Sequence, residues 1–411
     1  MKRQPLDAAL SAIERQHLTR QRTTVDGFVE SGNRLVTAVD GRTLIDFSSN
    51  DYLGLAHHPA IAAAMGECAA RSGAGSGASH LVTGHGIEHE RLEAELAAFT
   101  GRESALLFST GYMANLGVMT AMAGRGEVVL LDRLSHASII DGALLSGARF
   151  KRYAHADAGA AQRMLDESSE ESVVVATDGV FSMDGDIAPL RPLANAAAAH
   201  KAWLVVDDAH GIGVLGKTGR GSTEELSAND VPVLVGTLGK AFGSFGAFVA
   251  GSRDLVELLI QKARSYIFTT ALPQPVAAAT RKALEIAQRE PWRRERVLAL
   301  TARFRKAARD ADLPLLDSNT PIQPVMVGSS EGALQAQREL LAAGFRVVAI
   351  RAPTVPRGSE RLRVTLSAAH TESQVDALVE QLGTLGACNR AEGEVATSAR
   401  NHAEDQRVLS G

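Results

Sequence analysis

The chain has 411 residues, 45% apolar, 22% charged and 4% aromatic, a soluble globular composition with room for two domains and a large buried core. A net charge of −4 speaks against nucleic acid as a partner, because phosphate contacts demand basic patches. No apolar run is long enough to span a membrane, and the first residues mix Arg with Asp7 and Glu14, unlike a secretory signal.

Residues 1–50 are expected to form an N-terminal arm. Residues 6–22 read as amphipathic, and RLVTAVDGRTLIDF follows as a hairpin with Asp40-Gly41 at its turn. Residues 51–285 form the expected large domain. Its apolar runs are SALLFS (104–109), EVVLLD (127–132), SVVVAT (172–177), WLVVDD (203–208) and PVLVGT (232–237). Continuous Val/Leu runs suit strands covered on both faces, which predicts a mainly parallel sheet in an α/β architecture. Residues 254–310 read as helical. Residues 286–388 are assigned to a smaller α/β domain, with strands at IQPVMVG, FRVVAIR and RLRVTLS and helices over 331–343 and 371–385. The segment 389–411 is polar, lacks a hydrophobic period and is expected to be disordered. Cys68 and Cys388 are too few and too far apart for a disulfide framework or a zinc site, which fits unpaired thiols in a reducing cytoplasm.

Ligands of such sheets bind beyond the strand C-termini, so the residues that follow the runs carry the functional reading. Lys240 follows one run in GTLGKAFGSFGAF. Desolvation there disfavours its ammonium form and makes it an amine nucleophile or base, although alone it could equally be a surface lysine. Asp207 ends WLVVDDAHG. A buried carboxylate at that place needs a cation, and the protonated ring nitrogen of pyridoxal 5'-phosphate (PLP) is one candidate. An N-cap or an exposed strand-end acid is the plainer reading. His210 could donate to the phenolic oxygen of such a ring or simply be a bonded loop histidine. Ser109, Thr110 and Gly111 lie between a strand and a helix, where free N–H groups suit a phosphate. His136, in LLDRLSHASI, could stack on a flat ring, and Ser182, in DGVFSMDGD, offers a further hydroxyl. Arg361 and Arg363 share one face of the strand in RLRVTLSAAH. A guanidinium there can grip a carboxylate through two parallel hydrogen bonds.

Two motifs are set aside. Gly211–Thr218, GIGVLGKT, matches a nucleotide P-loop letter for letter, but Gly219 and Gly221 follow where a helix must begin. His85 and His89 have metal-ligand spacing, yet HEXXH is absent and a capped helix start accounts for them.

Taken in order, FSSNDYLGL (47–55), LSHASI (134–139), GVFSMDGD (179–186), VDDAHG (206–211), TLGKAFG (237–243) and PTVPRGSERLRVTLSAAH (353–370) resemble the α-oxoamine synthases. The likeness runs from about residue 6 to 385 and implies PLP-dependent transferase fold type I, the aspartate aminotransferase-like fold. It implies that Lys240 forms the Schiff base and acts in acid–base chemistry, that Asp207 meets the pyridine nitrogen, and that His136 stacks on the ring. Ser182 and His210 would lie near the phenolic oxygen. Gly111 and Tyr112 would give backbone amides to the phosphate, with help from the Thr237 hydroxyl. Thr269, in YIFTTALP, would reach the phosphate of a neighbouring subunit, which implies a homodimer with active sites at the interface. Arg363 would take the amino-acid carboxylate, while Arg20 and Asn50 would line the acyl approach. Within the family the chain is most similar to the biotin-pathway branch, which joins L-alanine to pimeloyl-CoA or pimeloyl-acyl carrier protein. Glycine C-acetyltransferase and 5-aminolevulinate synthase types are the alternatives, and no metal is implied.

Overall fold

The apolar runs fold side by side, as their double-sided hydrophobicity demands. A computed structural model describes residues 6–15, 19, 20, 22, 24, 25, 27, 28, 36–39, 41–168 and 172–385. Asp40, Cys388 and the 389–411 segment lie outside these residues. The strands are β1 (Gly27–Phe28), β2 (Val36–Val39), β3 (Arg42–Asp46), β4 (Ser104–Phe108), β5 (Val128–Asp132), β6 (Arg149–Tyr153) and β7 (Val173–Asp178). There follow β8 (Trp203–Asp207), β9 (Val233–Thr237), β10 (Ala247–Gly251), β11 (Ile322–Met326), β12 (Phe345–Arg346), β13 (Val348–Ile350) and β14 (Arg361–Thr365).

The central sheet has seven strands in the order β4-β10-β9-β8-β7-β5-β6. Pairs from β9 to β6 are parallel, whereas β10 runs antiparallel to both β9 and β4. Alternate residues feed two separate cores. Val129, Leu131, Val174, Ala176 and Val205 pack toward the helices Gly111–Met122 and Ala137–Ser146, together with Val118 and Ile139. Val128, Leu130, Val173, Val175, Leu204 and Val206 pack toward Ala158–Asp166 and Leu190–Ala199. This is the mainly parallel, two-sided sheet that the sequence predicts.

Two strands carry no such run. β6, RFKRY, is an edge strand with only Tyr153 buried, so it has no need of an apolar run. β10, AFVAG, is held by a size match. Phe248 sits opposite Gly236, and a Cβ on that glycine would lie 2.5 Å from the ring.

The stretch 254–310 is broken rather than continuous, with helices Arg253–Lys262, Arg264–Ile267, Gln274–Arg289 and Trp292–Asp310. FRVVAIR, expected as one strand, divides at the buried Val347. β12 pairs in parallel with β3, while β13 joins the antiparallel sheet β11-β14-β13. The N-terminal hairpin therefore shares a sheet with the C-terminal region. Two further bonds fasten FSSNDYLGL beside RLRVTLS: Thr365 N donates to Phe47 O at 2.7 Å and Ala368 N to Tyr52 O at 2.8 Å. These bonds carry Asn50 and Tyr52 to the end of β14.

Candidate active site

At the C-terminal ends of the parallel strands two carboxylates stand in register, Asp178 on β7 opposite Asp207 on β8. Asp207 is 6% exposed. Its Oδ2 accepts from Asn115 Nδ2 at 2.6 Å and its Oδ1 from Ala209 N at 3.0 Å. Among the described residues it has no ion pair, so a buried carboxylate stands here with neutral donors only. Asp178 accepts the backbone N–H of His136 at 2.9 Å, and burial together with the Asp207 charge raises its pKa.

Lys240 lies three residues beyond β9, on the turn that leads into β10. Its Nζ donates to His210 Nε2 at 2.8 Å. His210 Nδ1 is 2.6 Å from the Tyr52 hydroxyl, which donates to Asn50 Oδ1 at 3.3 Å. Asn50 Oδ1 also accepts from Nη1 and Nη2 of Arg363, each at 3.2 Å. A protonated lysine can only donate, so His210 accepts from Lys240 through Nε2 and, being neutral, donates to the Tyr52 oxygen through Nδ1, which leaves the Tyr52 proton for Asn50. One hydrogen-bonded chain thus joins Lys240 to Arg363. Arg363 is further held by the Ser182 carbonyl at 2.7 Å and Thr365 Oγ1 at 3.0 Å. Arg361 is spent elsewhere, on Asp184 and the Met183 carbonyl. Of the two arginines, Arg363 is the one tied to this cluster.

Burial is the main cause that pulls the Lys240 amine down to about 8, against the opposing pull of Asp207. Burial also keeps His210 neutral, with its pKa far below the ordinary value. At pH 7 about one Lys240 amine in ten is then unprotonated, against fewer than about one in a thousand for an ordinary lysine. Only the free amine attacks a carbonyl. The rate at which PLP-free protein captures PLP is therefore expected to rise with pH up to about 8 and to level off above it. Stopped-flow absorbance tests this, and a rate still climbing steeply at pH 10 would show an ordinary lysine.

His136 caps the helix Ala137–Ser146, with Nδ1 3.3 Å from Ser138 N and 2.7 Å from Ser138 Oγ. The residue is exposed, which leaves ring surface open for stacking. Gly111 and Tyr112 are the first two residues of Gly111–Met122, with Thr110 as its cap on Met113 N at 3.1 Å. Their N–H groups have no partner within the helix, and a Cβ on Gly111 would meet nothing within 4 Å. An anion can approach that end closely.

The other expected residues stand differently. The Thr237 hydroxyl donates to Gly246 O at 3.1 Å, so its proton is engaged inside the β9–β10 turn. Ser182 contributes its carbonyl to Arg363. Thr269 is half-buried, in the break after the 70% exposed Phe268, and no hydrogen bond among the described residues links it to Lys240. Arg20 is exposed and lines a separate cavity of about 650 Å³ with Arg346, Ile350 and Thr354. Within one chain the structure does not bring Thr269 or Arg20 into the Lys240 cluster. Tyr52, Asn115 and Ser138 carry no signal of their own in the sequence, although each lies inside a stretch that does.

The two motifs set aside have structural explanations. No helix follows Gly211–Thr218, and the loop's donors are taken by its own acids. Ser222 N and Oγ bind Asp208 at 2.8 and 2.7 Å, and Thr218 N and Arg220 N bind Glu224. Gly211 and Gly221 lie so close to Asp208 that an added Cβ would collide with its carboxylate. A phosphate has no room there. His80 joins His85 and His89 in one cluster, but His89 accepts from Gly86 N through Nδ1 and faces Leu272 O through Nε2. With both nitrogens occupied, His89 secures the start of the helix Ile87–Thr100.

Comparison with known proteins identifies the family of this fold. The family model for aminotransferase class I and II matches residues 42–382. An 8-amino-7-oxononanoate synthase of Cellvibrio japonicus is 57% identical over 384 residues, 93% of this chain and 96% of the relative. Among solved structures, serine palmitoyltransferase from S. paucimobilis with bound PLP–myriocin is similar at a TM-score of 0.86 and 30% identity, covering 93% of this chain and 96% of that one. An 8-amino-7-oxononanoate synthase from Francisella tularensis is similar at a TM-score of 0.73 and 32% identity, covering 83% and 97%.

Proposed function

The chain belongs to the class I and II aminotransferase family, and from that premise we infer that it condenses L-alanine with a pimeloyl thioester to give 8-amino-7-oxononanoate, CO2 and the free thiol carrier. The observation that carries the chemistry is the hydrogen-bonded chain from a near-neutral amine, Lys240, to the guanidinium of Arg363, beside Asp207, a buried carboxylate with no cation among the described residues.

The cofactor is PLP, and the site fits it. Asp207 supplies the missing partner for a pyridinium, Gly111 leaves open space at a helix N-terminus for a phosphate, and Lys240 offers an amine titrating near neutrality. When bound, PLP supplies an electron sink for the α-carbon of the amino acid. Lys240 Nζ would hold the cofactor at rest, then take the α-proton of alanine and later return a proton to the same carbon. Asp207 would keep the ring nitrogen protonated, and His136 would cover one ring face. His210 is neutral and already bonded to Lys240 Nζ, so it steadies the amine without adding a positive charge. Arg363, preset by Asn50, Ser182 and Thr365, would orient the alanine carboxylate. The α-carbon forms a bond to the thioester carbonyl as the C–S bond breaks and the thiol departs. The C–CO2 bond then breaks, and the carbon is reprotonated.

A second copy of the chain would complete the site by bringing Thr269 to the phosphate, a role for which the exposed Phe268 marks the accessible neighbourhood. The acyl donor is proposed to be either the CoA or the acyl-carrier thioester of pimelate, with Arg20 and Asn50 along its approach. No helix among the described residues is long and apolar enough to cross a membrane.

The test is free-thiol release. Purified protein is expected to release thiol from pimeloyl-CoA with L-alanine and to form 8-amino-7-oxononanoate. Release from acetyl- or succinyl-CoA with glycine instead would reassign the substrate.

A further inference from the structure

Asn115 is fully buried on the helix Gly111–Met122, and its Oδ1 has no partner among the described residues. A buried acceptor without a donor is destabilising, so packing alone would favour an apolar residue at this position. Its amide nitrogen has two uses: Nδ2 donates to Asp207 Oδ2 at 2.6 Å and to Ser138 Oγ at 2.8 Å. Turned over, the amide would set its oxygen against a carboxylate oxygen, so its orientation is decided. Because Ser138 Oγ accepts from Asn115, its own proton is free for His136 Nδ1 at 2.7 Å. The backbone N–H of Ser138, which can only donate, also points at Nδ1. Nδ1 is an acceptor on both counts, and the ring proton sits on Nε2.

We propose that Asn115 and Ser138 are positioning residues that hold His136 as the neutral Nε2–H tautomer and couple that state to an ionised Asp207. The inference rests on the reading in which Asp207 and His136 serve PLP. The charged and titratable groups around His136 are Asp207 from β8, Asp178 from β7, Lys240 and His210 from the loops after β9 and β8, and Asp141 from its own helix. Although one ring face stays open, desolvation by the surrounding protein opposes an imidazolium and Lys240 adds to it, against the pull of the carboxylates. A proton on Nδ1 would face two donors, and relieving that clash means reversing Ser138 and breaking its alignment with Asn115. The relay makes this reversal costly. It thereby keeps a second cation from competing with the ring nitrogen for Asp207.

Two readouts test it. In protein labelled with 15N-histidine, the His136 signals are identified by their loss in His136→Asn. They are expected to report the neutral Nε2–H form from about pH 7 to 9, with or without PLP. An Nδ1–H tautomer or a cation in that range overturns the proposal. In PLP-loaded protein, Ser138→Ala is expected to add a pH-dependent step to the visible absorption band. Ser138→Thr, which keeps the hydroxyl, should not show this step, and adding His136→Asn to Ser138→Ala should remove it. Superimposable titrations of Ser138→Ala and wild type overturn the proposal. Asn115→Leu should weaken PLP binding about tenfold, as loss of a charge-assisted hydrogen bond implies, and unchanged affinity also counts against the relay. If Ser138→Ala does not fold, the wild-type spectrum still decides. Wild-type protein that fails to bind PLP would instead sink the functional reading and leave the tautomer measurement standing.

Discussion

Lys240→Ala is expected to lower kcat by at least about 10³-fold, the loss associated with a positioned acid–base group, and to remove any borohydride-reducible bond between protein and PLP. Both effects follow from one atom. Lys240 Nζ is the amine held near neutrality by burial, and its hydrogen-bond partner among the described residues is the neutral acceptor His210 Nε2. The substitution breaks no ion pair of the described residues, so the unfolding midpoint should stay close to wild type and separate lost chemistry from lost fold. Lys240→Arg sharpens the test. It keeps a cation beside His210 but stays protonated at every working pH, so it should be as inactive as alanine. Thiol release from pimeloyl-CoA and borohydride reduction followed by mass spectrometry are the measurements. A reducible PLP bond that survives in Lys240→Ala would remove Lys240 from the centre of the reaction.

The sequence displayed the frame of this site because the frame is hydrophobic. Five runs of Val and Leu could only be strands covered on both faces; Asp207 lies at the end of one, and Gly111, Lys240 and His136 stand two to four residues beyond others. Two strands of the central sheet with other supports were not legible. β6 is polar because it is an edge, and β10 is built on a contact between Phe248 and Gly236 from a neighbouring strand. Side chains whose work consists of reaching another segment were hidden for the same reason. Asn115 meets a carboxylate 92 positions away, and Tyr52 meets His210 across 158. Nothing local in MANLG or NDYLG marks such a meeting. Arg20 and Thr269 mark the opposite limit. Their roles come from resemblance alone: Arg20 lines another cavity, and no hydrogen bond among the described residues ties Thr269 to Lys240.

Asp207→Asn is expected to reduce kcat by about 10²- to 10³-fold and to weaken PLP binding, consistent with removal of one partner from a buried ion pair. The change is nearly isosteric, so the loss would come from charge and from hydrogen-bond direction. Asn115 Nδ2 now donates to Asp207 Oδ2 while Ala209 N donates to Oδ1, so both carboxylate oxygens must be acceptors. An asparagine can satisfy only one of them. Its own NH2 would face either the Asn115 amide or the Ala209 N–H, donor against donor. It also cannot neutralise a protonated ring nitrogen, so the electron sink would weaken at the step proposed for Lys240, removal of the α-proton. The visible band and the turnover should therefore fall together. The companion variant Asp207→Ala loses the charge without introducing the donor clash. A deficit there as large as in Asp207→Asn would assign the loss to charge, and a milder one would assign part of it to direction. Wild-type turnover in both variants would mean that the cation facing this buried carboxylate is not the ring nitrogen.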